Sequence, residues 1–167
     1  MIQLYNGDCL EVMKTLPDNS IDLILCDLPY GITSISWDSI IPYDELWTQY
    51  KRLLKPTGNI VLFSSGLFTL SLIQSNIKQF RYKLIWKKNV PTGMGSAKYR
   101  PMKYYEEICV CSRQTLSVLV IYRGGRGKRQ YAIRLVIGCT KSLYLFFHCT
   151  KVGILLVVLI VALHINN

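Results

Sequence analysis

A carboxylate, a proline and an aromatic ring stand together at Asp27, Leu28, Pro29 and Tyr30, directly after the apolar run Ile21–Cys26. These are the parts needed to hold an amine conjugated to a flat ring. The lone pair of such an amine is delocalised. It becomes reactive when acceptors hold the N–H bonds and turn the lone pair out of the ring plane. The Asp27 carboxylate and the backbone carbonyl of Leu28 are two such acceptors. Pro29 stiffens the chain that presents them. Tyr30 offers a π-face on which a flat ring stacks. No covalent nucleophile is required.

These groups need a rigid support. Ile21–Cys26 (IDLILC) is almost continuously apolar, the pattern of a strand covered on both faces. Pro29 and Gly31 punctuate a loop after it. Upstream, Ile2–Tyr5 predicts a short strand and Cys9–Thr15 a short helix stopped near Pro17. Downstream, Leu46, Trp47, Tyr50, Leu53 and Leu54 fall at helical spacing within Asp44–Leu54. Pro56-Thr57-Gly58 ends that helix, and Ile60–Phe63 predicts a buried strand. Leu67–Ile77 predicts a second amphipathic helix, with Leu67, Leu70, Ile73 and Ile77 on one side. Tyr82–Trp86 is a predicted strand, Lys87–Met102 a loop, and Ile108–Cys111 a last strand. Strands alternating with helices predict an α/β fold, a mainly parallel sheet with helices on both faces. Ligands of such folds bind outside the carboxyl ends of the strands, where Asp27–Tyr30 lie.

At 167 residues the chain is long enough for one domain with a real core, and half of it is apolar, which excludes a disordered tail. The net charge of +10 suits a polyanionic partner. That charge is unevenly placed. Residues 1–107 hold twelve Lys and Arg against ten Asp and Glu, whereas residues 108–167 hold eight against none. The six cysteines, Cys9, Cys26, Cys109, Cys111, Cys139 and Cys149, form no C-x-x-C pair, so zinc spacing is absent and no metal is expected. Free thiols in a reduced cytosol are expected instead. The first residues lack a basic segment followed by an apolar one, so no signal peptide is expected.

The motif and its surroundings resemble the DNA adenine and cytosine amino-methyltransferases of restriction–modification systems and phages. Their motif is Asp/Asn/Ser-Pro-Pro-Tyr/Phe/Trp. Leu28 departs from it where the family usually has Pro, but Leu retains the carbonyl that acts. The resemblance extends through Asn6-Gly7-Asp8-Cys9-Leu10 and Leu16-Pro17-Asp18-Asn19-Ser20-Ile21-Asp22-Leu23-Ile24. It continues through Trp37-Asp38, Leu53-Leu54-Lys55-Pro56-Thr57-Gly58 and Trp86-Lys87-Lys88. Pro101-Met102-Lys103-Tyr104-Tyr105-Glu106-Glu107-Ile108-Cys109-Val110 completes it. It covers Met1 to about Cys111, two thirds of the chain.

The resemblance implies a Rossmann-like methyltransferase fold, with S-adenosyl-L-methionine as methyl donor and DNA as partner. Asp27, Leu28, Pro29 and Tyr30 would be catalytic, acting on a base flipped from the duplex. The Asp-initiated motif implies N6 of adenine first, with N4 of cytosine as the alternative. Asp8, Cys9, Leu10 and Asp27 would approach the cofactor, although Asp8 also reads as a helix N-cap. Trp37 and Trp47 read as core or pocket wall. Lys87, Lys98, Arg100 and the neighbouring Lys88 and Lys103 would neutralise DNA phosphates, or else form an ordinary solvated basic loop. The implied location is the cytoplasm of a bacterium or a phage-infected host.

One implication of the resemblance fails. Such chains carry a cofactor loop of the form Asp-x-Phe/Cys-x-Gly-Ser-Gly near the C-terminus, and residues 108–167 contain none. Gly124-Gly125-Arg126-Gly127 has no acidic neighbour and reads as a basic turn. At roughly one carboxylate in eight residues, sixty in succession without one arise on the order of once in a thousand. The expectation is a catalytic part over residues 1–111 and an atypical basic, apolar tail over 112–167, produced by a change of reading frame near Cys111 or Ser112. The fold would then be incomplete at its C-terminal end, and an inactive remnant that at most binds DNA is the competing reading. Val152–Leu163 is uncharged but shorter than the roughly twenty residues that span a bilayer. It reads as an apolar end or a buried helix, and no membrane partner is expected.

Overall fold

The computed structural model describes residues 5–34 and 38–113 in full, and the backbone of four short strands beyond them. Residues 2–4 of the expected first strand, Trp37, Gly124–Gly127 and most of Val152–Leu163 lie outside the described residues.

Helix α1 (Cys9–Lys14) starts where Asp8 caps it, Oδ1 accepting the N–H of Leu10 at 2.8 Å and of Glu11 at 3.3 Å. This satisfies amides that the first turn leaves free. Strand β1 (Ile21–Asp27) follows, then helix α2 (Tyr43–Leu53), which buries Leu46, Trp47, Tyr50 and Leu53 as their spacing requires. Strand β2 (Leu54–Ser64) begins directly at the end of α2. The segment Pro56-Thr57-Gly58 is therefore not a stop between elements but an irregularity within β2, where the register with β1 jumps from Ile21↔Leu54 to Leu23↔Asn59. A Cβ on Gly58 would sit 2.7 Å from the Leu54 side chain and 3.0 Å from the Asp22 carbonyl, so glycine is required there.

Helix α3 (Leu67–Ser75) forms where expected but buries a different face. Phe68, Thr69 and Leu72 are inside, while Leu67 is 83% exposed, Leu70 63% and Ile77 63%. The run Leu-Phe-Thr-Leu-Ser-Leu-Ile is apolar on several sides, so its period does not select a face. Tertiary contacts select it: Thr69 Oγ1 donates to Glu107 Oε2 at 2.6 Å, and the Phe68 ring meets Tyr30.

Strand β3 (Phe80–Thr92) and strand β4 (Lys103–Ser112) are both longer than the apolar pattern indicates. The expected loop from Lys87 shrinks to residues 93–102, which contain a single 3-10 turn at Met94–Ser96. The two strands pair antiparallel over most of their length, from Phe80↔Cys111 to Thr92↔Lys103.

The sheet order is β3-β4-β2-β1-β8, with β8 the pair Val158–Leu159, a strand where an apolar end or helix was expected. Only β1 and β2 run parallel among these strands; β2–β4, β3–β4 and β1–β8 are antiparallel. The α/β class stands, but the sheet is mixed rather than mainly parallel. The reason is the short 93–102 connection, since a parallel pair needs a long crossover.

The core sits on one face of this sheet. Ile24 and Cys26 of β1, Ile60 and Leu62 of β2, and Cys109 and Cys111 of β4 join Met13, Leu46, Trp47, Tyr50, Leu53, Phe68 and Leu72 in one cluster. The strand residues alternate, as a period of two dictates. All three described helices thus contribute to the same face. Leu23, Leu25, Val61, Phe63, Ile108 and Val110 alternate with those strand residues, point to the opposite face and are buried as well.

The chain divides into two compact units, Met1–Arg113 with Leu155–Val161, and Gln114–Ile154 with Ala162–Asn167. The second unit contains a three-stranded antiparallel meander of β5 (Ile121–Tyr122), β6 (Ala132–Ile137) and β7 (Lys141–Phe146). No described helix is long and apolar enough to cross a membrane.

Candidate active site

Asp27 is the last residue of β1, paired with Phe63 at the carboxyl end of the parallel pair β1–β2. The chain then turns sharply. The Leu28 side chain is buried in the core, 5% exposed. That anchor holds the turn where the related motif has its first proline, and it leaves the Leu28 backbone in place. Tyr30 folds back so that its hydroxyl donates to Asp27 Oδ1 at 2.8 Å. Its ring leans on Phe68 of α3, centroids 5.0 Å apart and planes tilted by 30°. Phe68 in turn contacts Tyr43 at 6.4 Å, and the Tyr43 hydroxyl bonds Ser71 at 2.8 Å. An aromatic row therefore connects the motif to α2 and α3.

The loop after the motif is held by Asp38. Its Oδ1 accepts the Gly31 N–H at 2.8 Å, and its Oδ2 accepts the N–H of Ile32 at 3.0 Å and of Thr33 at 2.7 Å. The Thr33 hydroxyl adds a fourth bond at 2.7 Å. Gly31 has φ +65, and a Cβ there would meet the Ile40 side chain at 2.9 Å. Glycine is thus needed for both the turn and the close approach.

The strand-end electrostatics centre on Asp27. Partial burial raises its carboxyl pKa, the Tyr30 hydrogen bond works against that rise, and the nearby Glu106 carboxylate adds to it. Burial and the two carboxylates push the Tyr30 hydroxyl far up, so it stays protonated. Hydrogen bonds from Thr33, followed by those from the backbone amides, pull Asp38 down to about 2 against its burial.

Glu106 was not singled out by the sequence. It lies on β4, and the register of β4 on β2 (Ser64↔Glu107), together with that of β2 on β1 (Phe63↔Asp27), brings it to the motif. Its Oε2 lies 3.3 Å from the Tyr30 hydroxyl. Its Oε1 pairs with Lys88 at 2.5 Å and Lys103 at 3.5 Å. A weak signal exists in the sequence: Glu106-Glu107 is an acidic pair in the middle of a strand.

The structure therefore brings Asp27, Tyr30, Lys88 and Lys103 together through Glu106. It leaves Lys87, Lys98 and Arg100 exposed and apart, Arg100 bonding the Ser96 hydroxyl at 2.9 Å. Asp8 serves its own helix as a cap. Cys9 and Leu10 pack against the core cluster, and burial raises the Cys9 thiol pKa. Trp47 is core, its Nε1 donating to Ser75 at 2.8 Å. Cys9, Cys26, Cys109 and Cys111 are free thiols.

No family model matches the chain. It is 32% identical to the type II methyltransferase M.HinfI of Haemophilus influenzae over 114 residues, which takes in 53% of this chain and 32% of that one. It is 33% identical to M.BamHI of Bacillus amyloliquefaciens over 72 residues, 37% of this chain and 17% of that one. Its relatives are type II DNA methyltransferases. The chain spans about a third or less of the length of these two methyltransferases. Among solved structures, the M1.HpyAVI–SAM complex aligns with a TM-score of 0.51 at 20% identity, covering 77% of this chain and 64% of that methyltransferase. That likeness shows that the chain shares the α/β fold of that protein.

Proposed function

We propose that this chain carries the amine-orienting part of a DNA methyltransferase that uses S-adenosyl-L-methionine and acts on N6 of adenine, with N4 of cytosine as the alternative target. The observation that carries this reading is Asp27 at the end of a parallel strand, with Tyr30 hydrogen-bonded to it. The type II methyltransferase relatives support it.

Asp27 and the Leu28 carbonyl accept the two N–H bonds of the amine, and Tyr30 stacks on the flipped base. Pro29 and the Asp38 clamp keep these groups in one geometry. The donor set also fits a cationic sulfonium. Asp27 Oδ2 makes no hydrogen bond among the described residues, and Asp8, Cys9 and Leu10 are the further residues assigned to hold the cofactor. When bound, S-adenosyl-L-methionine supplies the electrophilic methyl. Lys87, Lys98 and Arg100 are exposed and suited to phosphate; Lys88 and Lys103, assigned the same role, are engaged by Glu106. The free thiols fit a reducing cytosol of a bacterium or phage-infected host.

A second reading, an inactive part that at most binds DNA, is favoured by the carboxylate-free stretch 108–167 and its lack of a glycine-rich acidic loop. Transfer of labelled methyl groups into duplex DNA, followed by nucleoside analysis, tests both. Methylated adenine that disappears in Asp27→Ala is the expected result. Methylated cytosine selects the alternative target. No incorporation, with no calorimetric binding of S-adenosyl-L-methionine at millimolar concentration, leaves the inactive reading.

A further inference from the structure

We infer that Glu106 is a positioning residue, a second acceptor that takes the Tyr30 hydroxyl when an amine donates to Asp27. The inference rests on the proposed function for its purpose but on geometry for its existence. Tyr30 has a single hydroxyl proton and faces two carboxylates, Asp27 Oδ1 at 2.8 Å and Glu106 Oε2 at 3.3 Å. It donates to the nearer one. In that arrangement one lone pair of Asp27 Oδ1 is already engaged, and that oxygen is one of the atoms that should receive the amine.

Glu106 resolves the conflict. Lys88 and Lys103 hold its other oxygen, Oε1, from two different strands. Oε2 is thereby kept beside Tyr30. A small rotation of the phenol O–H moves the bond from Asp27 to Glu106. No covalent bond breaks and no proton leaves Tyr30. Asp27 Oδ1 is then open to the amine while the ring stays on Phe68. Two lysines beside one carboxylate also explain why an acid is tolerated next to Asp27, since the paired charge offsets the repulsion. Lys88 and Lys103 thus serve the motif in place of the DNA backbone.

The test follows Asp27 by carbon-13 carboxyl NMR across pH in the full chain. The charged and titratable groups facing Asp27 are Tyr30, Glu106, Lys88 and Lys103. Glu106→Gln removes a negative neighbour and directs the hydroxyl wholly to Asp27. Both changes lower the Asp27 pKa. In a Tyr30→Phe background only the charge effect remains. The expected result is a clearly larger downward shift with Tyr30 present than without it. Equal shifts in the two backgrounds overturn the inference, because a merely electrostatic or structural Glu106 gives equal shifts.

Glu106→Gln keeps the size of the side chain, and an unchanged amide NMR spectrum elsewhere confirms that the fold survives. If the fold is lost, Lys88→Met provides the same comparison. Without that counterion Glu106 is the stronger acceptor and draws the hydroxyl from Asp27, while the lost charge of Lys88 by itself raises the Asp27 pKa in both backgrounds. A larger upward shift is expected from Lys88→Met with Tyr30 present than in the Tyr30→Phe background, and equal shifts overturn the inference. Methyl transfer is read separately. With activity, Glu106→Gln lowers kcat about tenfold with little change in KM. Coupling without methylation refutes the proposed function and leaves the shared hydroxyl standing. Methylation without coupling does the reverse.

Discussion

Asp27 and Asp38 flank one loop and have opposite chemistry. Asp38 accepts four hydrogen bonds, three from consecutive backbone amides, and its pKa falls to about 2. Asp27 accepts one, from Tyr30, and partial burial pushes its pKa up. The first carboxylate is fully committed to the fold. The second is exposed at the end of a strand and keeps an oxygen that no described residue engages. The difference separates an acid committed to the loop from one free to take on the proposed role.

The largest effect that distinguishes them is catalytic. Asp27→Ala should lower methyl transfer by about 100-fold or more while changing unfolding free energy by no more than about 1 kcal/mol. Parallel methylation and urea-unfolding measurements check this, and a stability loss as large as that of Asp38 variants would erase the distinction. Asp38→Ala leaves the amides of Gly31, Ile32 and Thr33 without their acceptor. It should destabilise the chain by about 2–3 kcal/mol in urea unfolding, with a secondary loss of activity as the loop releases Tyr30.

The pH dependence has opposite signs at the two sites. Asp38 titrates lower in the folded chain than its ordinary 3.8. Its contribution is therefore present above about pH 4 and is lost as pH falls toward 2. Asp38→Asn should remove that acid limb from a stability–pH curve. Asp27 titrates higher when folded, so its protonation favours the folded state and its ionisation, as pH rises through the folded value, disfavours it. The Asp27→Ala curve should lack that small decline. The smallest effect is expected for Tyr30→Phe. It removes one hydrogen bond, costs about 1 kcal/mol or less, and moves the Asp27 pKa further up by NMR. A downward movement would mean that Tyr30 does not stabilise the Asp27 carboxylate.

Much of this site is legible along the chain because its decisive contacts are short in sequence. Asp27 and Tyr30 are three residues apart, and Asp38 bonds residues five to seven positions away. The capping role of Asp8 is local in the same sense. Strand β1 and helix α2 show themselves by apolar pattern, since each has one dominant environment. Helix α3 does not. Its sequence is apolar on several sides, and the choice of Phe68, Thr69 and Leu72 as the inner face depends on partners at Tyr30 and Glu107. The full length of β3 was hidden because it is an edge strand whose exposed lysines alternate with half-buried residues.

The amino-acid sequence alone determined that an acid, a carbonyl, a proline and a tyrosine follow a buried strand, and it determined the chemistry these groups share. It also determined the sharp change of composition near Ser112. The folded chain decided which acid and which bases surround that motif. Glu106 reaches Tyr30 across 76 positions of sequence, and it does so through the parallel register of β1 on β2 and the antiparallel register of β2 on β4. Strand register is a pairing between distant segments, settled by the whole sheet at once, so no local pattern in either segment encodes it.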